Sequence, residues 1–382
     1  MASVNKRPDG KWRARYRGPD GRERARHFTR KIDAERWLAT QGADVARGEW
    51  VDPALGKMTF IQWAEQWEAG LSDLRPTTKA LNLGVLHNHL LPRFAGYQLA
   101  RITTSDVKVM IADDLVAGYS NSAVRRHVIV LRVILDAAVV EARIGRNPCA
   151  GVKLPPESSR DMRFLEPVEV ARLADAIRPD HYRPLILTAA YVGLRWGELA
   201  GLKVERVDPL RRTVQVVEQL VEVAGKVEFG PPKTKAGRRT VTMPAAIAEM
   251  LGEHMSCEAV RSSGLVFPTP SGTPMRRSNF RKVWRRAVTE AGFDGGPLDG
   301  LVFHELRHTS AALAIAQGAH PLVIRDRLGH SSIMVTMDTY GGLFPSLDEA
   351  IAEGLDGVLR ASLADQTRTR ADQVTRLRRS AR

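Results

Sequence analysis

The sequence predicts a mainly α-helical chain with small β-sheets (α+β), divided among several domains. Three observations carry this. The chain has 382 residues, more than one compact core ordinarily holds. Strand-like patterns are confined to two short regions, near 12–28 and 213–241, while elsewhere apolar residues recur at helical spacing. Connectors rich in Pro, Gly or Ser, at 48–57 (GEWVDPALGK) and 150–162 (AGVKLPPESSRDM), separate the patterned blocks.

The elements follow in order. In KWRARYR, Trp12, Ala14 and Tyr16 alternate with Arg13, Arg15 and Arg17, so one strand face is apolar and the other cationic. A GPDG turn leads to a second basic strand at about 22–28. A helix over 32–47 then offers Ala34, Trp37, Leu38 and Gln41 as a stripe to cover the apolar face. From Thr59 onward Phe60, Trp63 and Trp67 share a helical face, and further helices are expected at 77–91, 104–115 and 122–142. Ser105 is the expected cap of the third of these four, and Pro92 the expected end of the second. Arg125, Arg126 and Arg132 are candidates to face phosphates. After the second connector come helices at 166–177 and 181–202, the latter interrupted at Gly193, then the β-rich stretch, then helices again.

Composition narrows the function classes. Apolar residues make up 43%, which suits a folded protein. No apolar run approaches a membrane span, and the basic start lacks the apolar core of a signal peptide, so a cytoplasmic protein with no membrane partner is expected. Cys149 and Cys257 are too few for a disulfide framework. The net charge of +14 is concentrated at the two ends, with +8 in residues 1–31 and +5 in residues 360–382. Clustered cations on a nearly neutral body point to a polyanion, because neutralising phosphates releases counterions.

The chemistry starts from HELRH, residues 304–308. It satisfies HExxH, but a zinc peptidase needs a third ligand; the residue ten after His304 is Ala314, and no glutamate lies between Glu305 and Glu349. Arg307 beside the two histidines also repels a dication. Read instead as H-x-x-R, the stretch joins other phosphate-binding words. YVGLRWGELAGL places Arg195 after Gly193, with Glu198 one turn on to orient the guanidinium. PPKTKAGRRTV places Lys233 and Lys235 in a tight loop or hairpin, with Arg238 and Arg239 beside them. RLGHSSIMVTMDTYGGLF places His330 at a helix end and Tyr340 ten residues later.

These words, with FHELRHTSA, resemble the tyrosine recombinases, and specifically the phage-type integrases. The resemblance is dense over 163–344 and rests on helical pattern over 59–148. It implies a multidomain DNA clamp: an arm-type DNA-binding domain and linker at 1–56, a helical core-site-binding domain at 57–155, a catalytic domain at 156–344, and a tail helix with a basic end at 345–382. It also implies a site-specific recombinase that integrates, and excises, phage or mobile-element DNA through a 3′-phosphotyrosyl intermediate. Its partners would be double-stranded attachment sites, a homo-tetramer joined through the tail, and DNA-bending and directionality proteins.

The expected catalytic set is Arg195, Lys233, His304, Arg307, His330 and Tyr340, with Glu198 behind Arg195. Two guanidiniums suit the charge that builds on a pentavalent phosphorus, because they stay protonated and fork onto phosphate oxygens. Tyr340 is the expected nucleophile; either a neighbouring base, His304, accepts its proton or the field of the arginines lowers its pKa. The resemblance implies that a lysine of the hairpin, Lys233 or Lys235, is the general acid for the leaving 5′ oxygen; Lys233 is preferred from the PKT word, since on a strand the two would point the same way and geometry does not choose. Arg13, Arg15, Arg17, Lys235, Arg238 and Arg239 are expected to contact DNA. No cofactor, metal or ATP is required, since the phosphotyrosyl link conserves the bond energy. Alternatives are a chromosome-dimer or transposon resolvase of the same family and a catalytically inert DNA-binding protein.

Overall fold

The computed structural model describes residues 2–46, 55–157, 162–223, 225–344, 352 and 355–360. They fall in two compact units, 1–160 and 161–382.

The first unit opens with an antiparallel sheet in the order β1 (Ser3–Lys6), β2 (Trp12–Arg17), β3 (Glu23–Phe28). The sequence reading missed β1, because SVNK has no apolar alternation; its place comes from backbone pairing with β2, Ser3 opposite Arg15 and Lys6 opposite Trp12. Ala14 and Tyr16 are buried beneath α1 (Lys31–Ala46). Tyr16 donates its hydroxyl to Gln41 Oε1 at 2.8 Å, and the Trp37 ring meets Tyr16 edge-on at 5.3 Å. Such a ring pair adds about 1 kcal/mol beyond its buried area. The other face carries Arg13 and Arg15, both within ion-pair reach of Glu23, and the exposed Arg17.

The helical part of this unit begins at α2 (Phe60–Ala69), whose capping box joins Thr59 and Gln62. Phe60, Trp63 and Trp67 are buried, and Trp63 Nε1 donates to the Ile134 carbonyl at 2.9 Å. Pro92 does not end its helix. The segment runs from α3 (Pro76–Val85) through a π-helical turn, Leu86–Leu90, into α4 (Leu91–Phe94), with Pro92 in the first turn of α4. The wide turn reaches back five residues, from the Leu91 N–H to the Leu86 carbonyl, which relieves the clash a proline imposes on a regular helix. In α5 (Thr104–Val116) the cap is Thr103, not Ser105: Thr103 and Asp106 exchange side-chain bonds to backbone N–H groups. Arg125 and Arg132, on α6 (Asn121–Val140), are spent inside the unit, Arg125 on the Pro155 carbonyl and Glu157, Arg132 on the Cys149 carbonyl. Most of the 48–57 connector lies outside the described residues.

The second unit is built around α8 (Arg183–Val192), which follows α7 (Pro167–Ala176) and precedes the short α9 (Trp196–Ala200). Two small sheets come next: β4 (Val207–Asp208), β5 (Thr213–Val216) and β8 (Arg239–Thr242) form one, and β6 (Gln219–Val223) with β7 (Lys226–Gly230) form a hairpin. Gly197 and Gly201 of the α9 region lie so close to the Leu220 backbone that a Cβ would come within 2.8 and 2.6 Å of it. Helices α10 (Ala245–Ser256), α11 (Glu258–Ser263), α12 (Arg277–Glu290), α13 (Glu305–Ala316), α14 (Pro321–Leu328) and α15 (Ile333–Tyr340) complete the unit. Of the tail helix expected at 345–382, the described residues are 352 and 355–360; Leu355, Val358 and Leu359 there are helical and exposed. Among the described residues no helix is long and apolar enough to cross a membrane.

Candidate active site

The site forms where α8 and α14 both end on left-handed glycines, Gly193 (φ 77°) and Gly329 (φ 64°). A helix end exposes carbonyls that need donors. At α14 three successive carbonyls are each taken by a different arginine. The Arg327 carbonyl accepts from Arg239 Nε at 2.7 Å, the Leu328 carbonyl from Arg307 Nη2, and the Gly329 carbonyl from Arg195 Nη2 at 3.1 Å. Arg307 also donates to the Gly193 carbonyl at 2.6 Å, so one side chain from α13 ties the two helix ends together.

Glu198 locks the arrangement. Its carboxylate accepts from Arg195 Nη1 at 2.9 Å and from both terminal nitrogens of Arg239 at 3.1 and 2.9 Å, and its side chain is about 1% exposed. Burial pushes its carboxyl up, but the hydrogen bonds and charge of Arg239 and then Arg195 hold it down at about 2. Arg239 therefore does not face DNA as expected. It is a buried counter-ion of Glu198: without Glu198 its guanidinium would keep only carbonyl partners, and without Arg239 the carboxylate would keep Arg195 alone.

Tyr340 closes α15 with its ring almost wholly buried. Its hydroxyl lies 2.8 Å from His308 Nδ1. Burial pushes the phenol up to about 12 against the pull of Arg307 and Arg195. The His330 ring lies parallel to the Tyr340 ring at 6.3 Å, and His330 Nδ1 is 2.9 Å from Thr336 Oγ1. Burial, then Arg307, Arg195, Arg239 and His308, push His330 down to about 4. Burial and Arg195 likewise pull the Arg307 guanidinium down to about 9, which leaves it charged at neutral pH.

His304 caps the start of α13 at the rim. Part of its ring is open to solvent, yet the protein around it, then His308, Arg307, Arg195 and Arg277, push it down to about 4. Its ring meets His308 edge-on at 5.1 Å. Glu305 is buried and accepts from the Val302 N–H at 2.6 Å, a local helix cap and not a base facing a cleft. The loop leading to His304 is set by aromatic packing: Phe303 lies 5.1 Å from Trp196 of α9 and 5.2 Å from Trp284 of α12.

The structure thus brings Arg195, Glu198, Arg307, His330 and Tyr340 together, with His304 beside them. Lys233 and Lys235 lie exposed between β7 and β8, but not on one strand, because Lys235 opens a 3-10 turn, Lys235–Gly237. Arg238 is exposed there as well. Two features went unread in the sequence. His308, in plain view in HELRH, is the hydrogen-bond partner of Tyr340. Helix α12 turns Phe280, Trp284, Ala287 and Val288 inward and leaves Arg277, Arg281, Lys282 and Arg285 exposed. The four-residue apolar repeat in RSNFRKVWRRAVTE was the signal for that face.

Comparison with known proteins places the chain. The phage integrase family matches residues 163–344, and the phage integrase N-terminal domain matches residues 2–47. The chain is 30% identical over 338 residues to the prophage phiRv2 integrase of Mycobacterium tuberculosis, covering 85% of this chain and 86% of the relative. It is 28% identical to the integrase of Mycobacterium phage L5, covering 88% and 91%. In three dimensions it is similar to the Tn1549 transposon integrase bound to circular intermediate DNA, with TM-score 0.67, 19% identity, and 78% of this chain and 99% of that chain covered. It is also similar to a lambda integrase dimer bound to a COC′ core site, with TM-score 0.59, 19% identity, and 88% and 93% covered. By these matches and its fold, the chain belongs to the phage integrase family of tyrosine recombinases.

Proposed function

We propose that the protein cuts and rejoins DNA at specific attachment sites through a 3′-phosphotyrosyl intermediate, integrating and excising a phage or mobile element. The observation that carries this is the placement of Tyr340 beside two guanidiniums, those of Arg195 and Arg307, that both donate to the carbonyls ending α14. Each guanidinium has five N–H donors; Arg195 and Arg307 each spend two on the protein, leaving donors for the non-bridging oxygens of a phosphodiester. Tyr340 Oη attacks phosphorus, the bond to the 5′ oxygen breaks, and Lys233 or Lys235 protonates that oxygen. His304 and His330, held neutral, each retain an N–H to offer the phosphate.

Core-site DNA is held by the helical region 57–155 and by α12, and arm-site DNA by the β2 face carrying Arg13, Arg15 and Arg17. Lys235 and Arg238 approach the backbone near the cleavage point. Four protomers assemble on two duplexes, each tail docking on a neighbour; the exposed Leu355, Val358 and Leu359 suit that role. DNA-bending and directionality proteins complete the reaction. A resolvase of the same family would lack a reason for the basic N-terminal sheet.

The test is to incubate the chain with a library of randomised duplexes carrying a nick, and to isolate and sequence the covalently attached DNA. One enriched duplex family is expected, linked through Tyr340, with no covalent product from Tyr340→Phe. Attachment that survives Tyr340→Phe would overturn the assignment.

A further inference from the structure

We infer that His308, not His304, is the residue that takes the proton from the Tyr340 hydroxyl during strand cleavage. The inference rests on the reading of Tyr340 as the nucleophile. It is carried by position: His308 Nδ1 lies 2.8 Å from Tyr340 Oη, within the reach a general base requires. His304 sits one helical turn earlier, at the rim, and its described ring contact is with His308.

The groups around His308 come from three elements. Tyr340 approaches from α15, His304 and Arg307 from its own helix region, and His330 from the turn between α14 and α15. With its proton on Nε2, the neutral ring presents Nδ1 as an acceptor to the phenol. Burial and Arg307 hold the His308 ring below its ordinary value, and burial holds the phenol above its own. The proton therefore stays on oxygen in the free protein. A phosphodiester bound by Arg195 and Arg307 brings negative charge beside the ring, which favours the imidazolium.

The step balances. The Tyr340 O–H proton passes to His308 Nδ1 as an Oη lone pair forms the O–P bond. The P–O5′ bond breaks, and the 5′ oxygen takes a proton from the lysine acid. The product is a diester of the same charge, an imidazolium and a neutral lysine. Religation returns both protons.

The probe is the nicked duplex enriched by the wild-type chain, and the readout is the single-turnover rate of covalent attachment. His308→Gln keeps a hydrogen-bond acceptor that cannot bind a proton at working pH, and His308→Ala opens space for added imidazole. Both should melt as the wild type does, bind the duplex with unchanged affinity, and attach it about 100-fold or more slowly. The rate should recover as pH rises toward the phenol's own ionisation, and imidazole should speed His308→Ala but not Tyr340→Phe. A 5′-bridging phosphorothiolate, which needs no acid for departure, should not restore either variant. Attachment within about threefold of wild type, or rescue by the phosphorothiolate, would overturn the inference. So would a loss in normally folded variants that neither alkaline pH nor imidazole relieves. Absence of attachment by the wild-type chain would instead remove the reading on which the inference rests.

Discussion

Arg238 and Arg239 are neighbours in sequence and opposite in fate, one in solvent and one clamped on Glu198. Replacing Arg239 with Met leaves Glu198 with one guanidinium in place of two in a site closed to water. Loss of about 3 to 5 kcal/mol is expected, read as a lower denaturant midpoint, with strand cleavage lost through the disordered Arg195. Arg238→Met should leave stability within about 0.5 kcal/mol of wild type. An equal effect of the two substitutions would contradict this assignment. The pair also marks the limit of the sequence. RR in a basic word reads as a DNA contact, because nothing local says which guanidinium the fold turns inward. The same holds for His304 and His308, which share a helix face; the choice between them is made by where α15 delivers Tyr340. By contrast, Arg195, Arg307, His330 and Tyr340 are legible because their words occur together and in order, as in the family they resemble, and the fold brings the four side chains to one place.

Among the elements, the left-handed turn at Gly193 is the most exposed to test. A Cβ there would meet Ser310 Oγ at 2.8 Å and Leu328 Cδ2 at 3.1 Å, on a backbone angle that L residues rarely adopt. Gly193→Ala should cost about 1 to 3 kcal/mol and slow cleavage more than it weakens DNA binding, because the carbonyl that holds Arg307 must move. Unfolding curves and attachment rates on one sample check both parts. For α12, Arg281→Ala with Arg285→Ala should weaken duplex binding and lower its salt dependence by about two ion equivalents, measured by titration at several salt concentrations. Stability should not change, since both side chains are exposed. The amphipathic elements were readable wherever one apolar stripe met one partner, as Trp37 and Gln41 meet Tyr16. Where pairing or crowding decided the outcome, they were not: β1 exists through its backbone ladder, and Pro92 stays helical through a π turn. The cap of α5 falls on Thr103 because Asp106 answers it, a choice that the run Thr103, Thr104 and Ser105 left open.

For the whole molecule, acid is the informative variable. His89, His181, His254, His304, His308 and His330 are all held below the ordinary histidine value, in each case first by burial. Folding favours their neutral forms, so the unfolded chain takes up protons first. Stability is complete above about pH 6.5 and falls as pH drops from there toward about 4, the level to which His304 and His330 are pushed. The Glu198 contribution lies lower. It is present above the ordinary carboxyl value and lost only as pH falls through that value toward about 2. Urea midpoints should therefore stay level from about pH 7.5 to about pH 6.5 and decline from there to about pH 5; a rise over the lower interval would refute the argument.

The three carbonyls that end α14 give the site a property of its own. Arg239, Arg307 and Arg195 grip consecutive links of one short backbone segment, and the next residue along is His330. The parts are geared together, so no one of them can drift without dragging the others. Sequence change in this segment should therefore produce either full activity or silence, and partial, separable defects should arise only elsewhere in the chain.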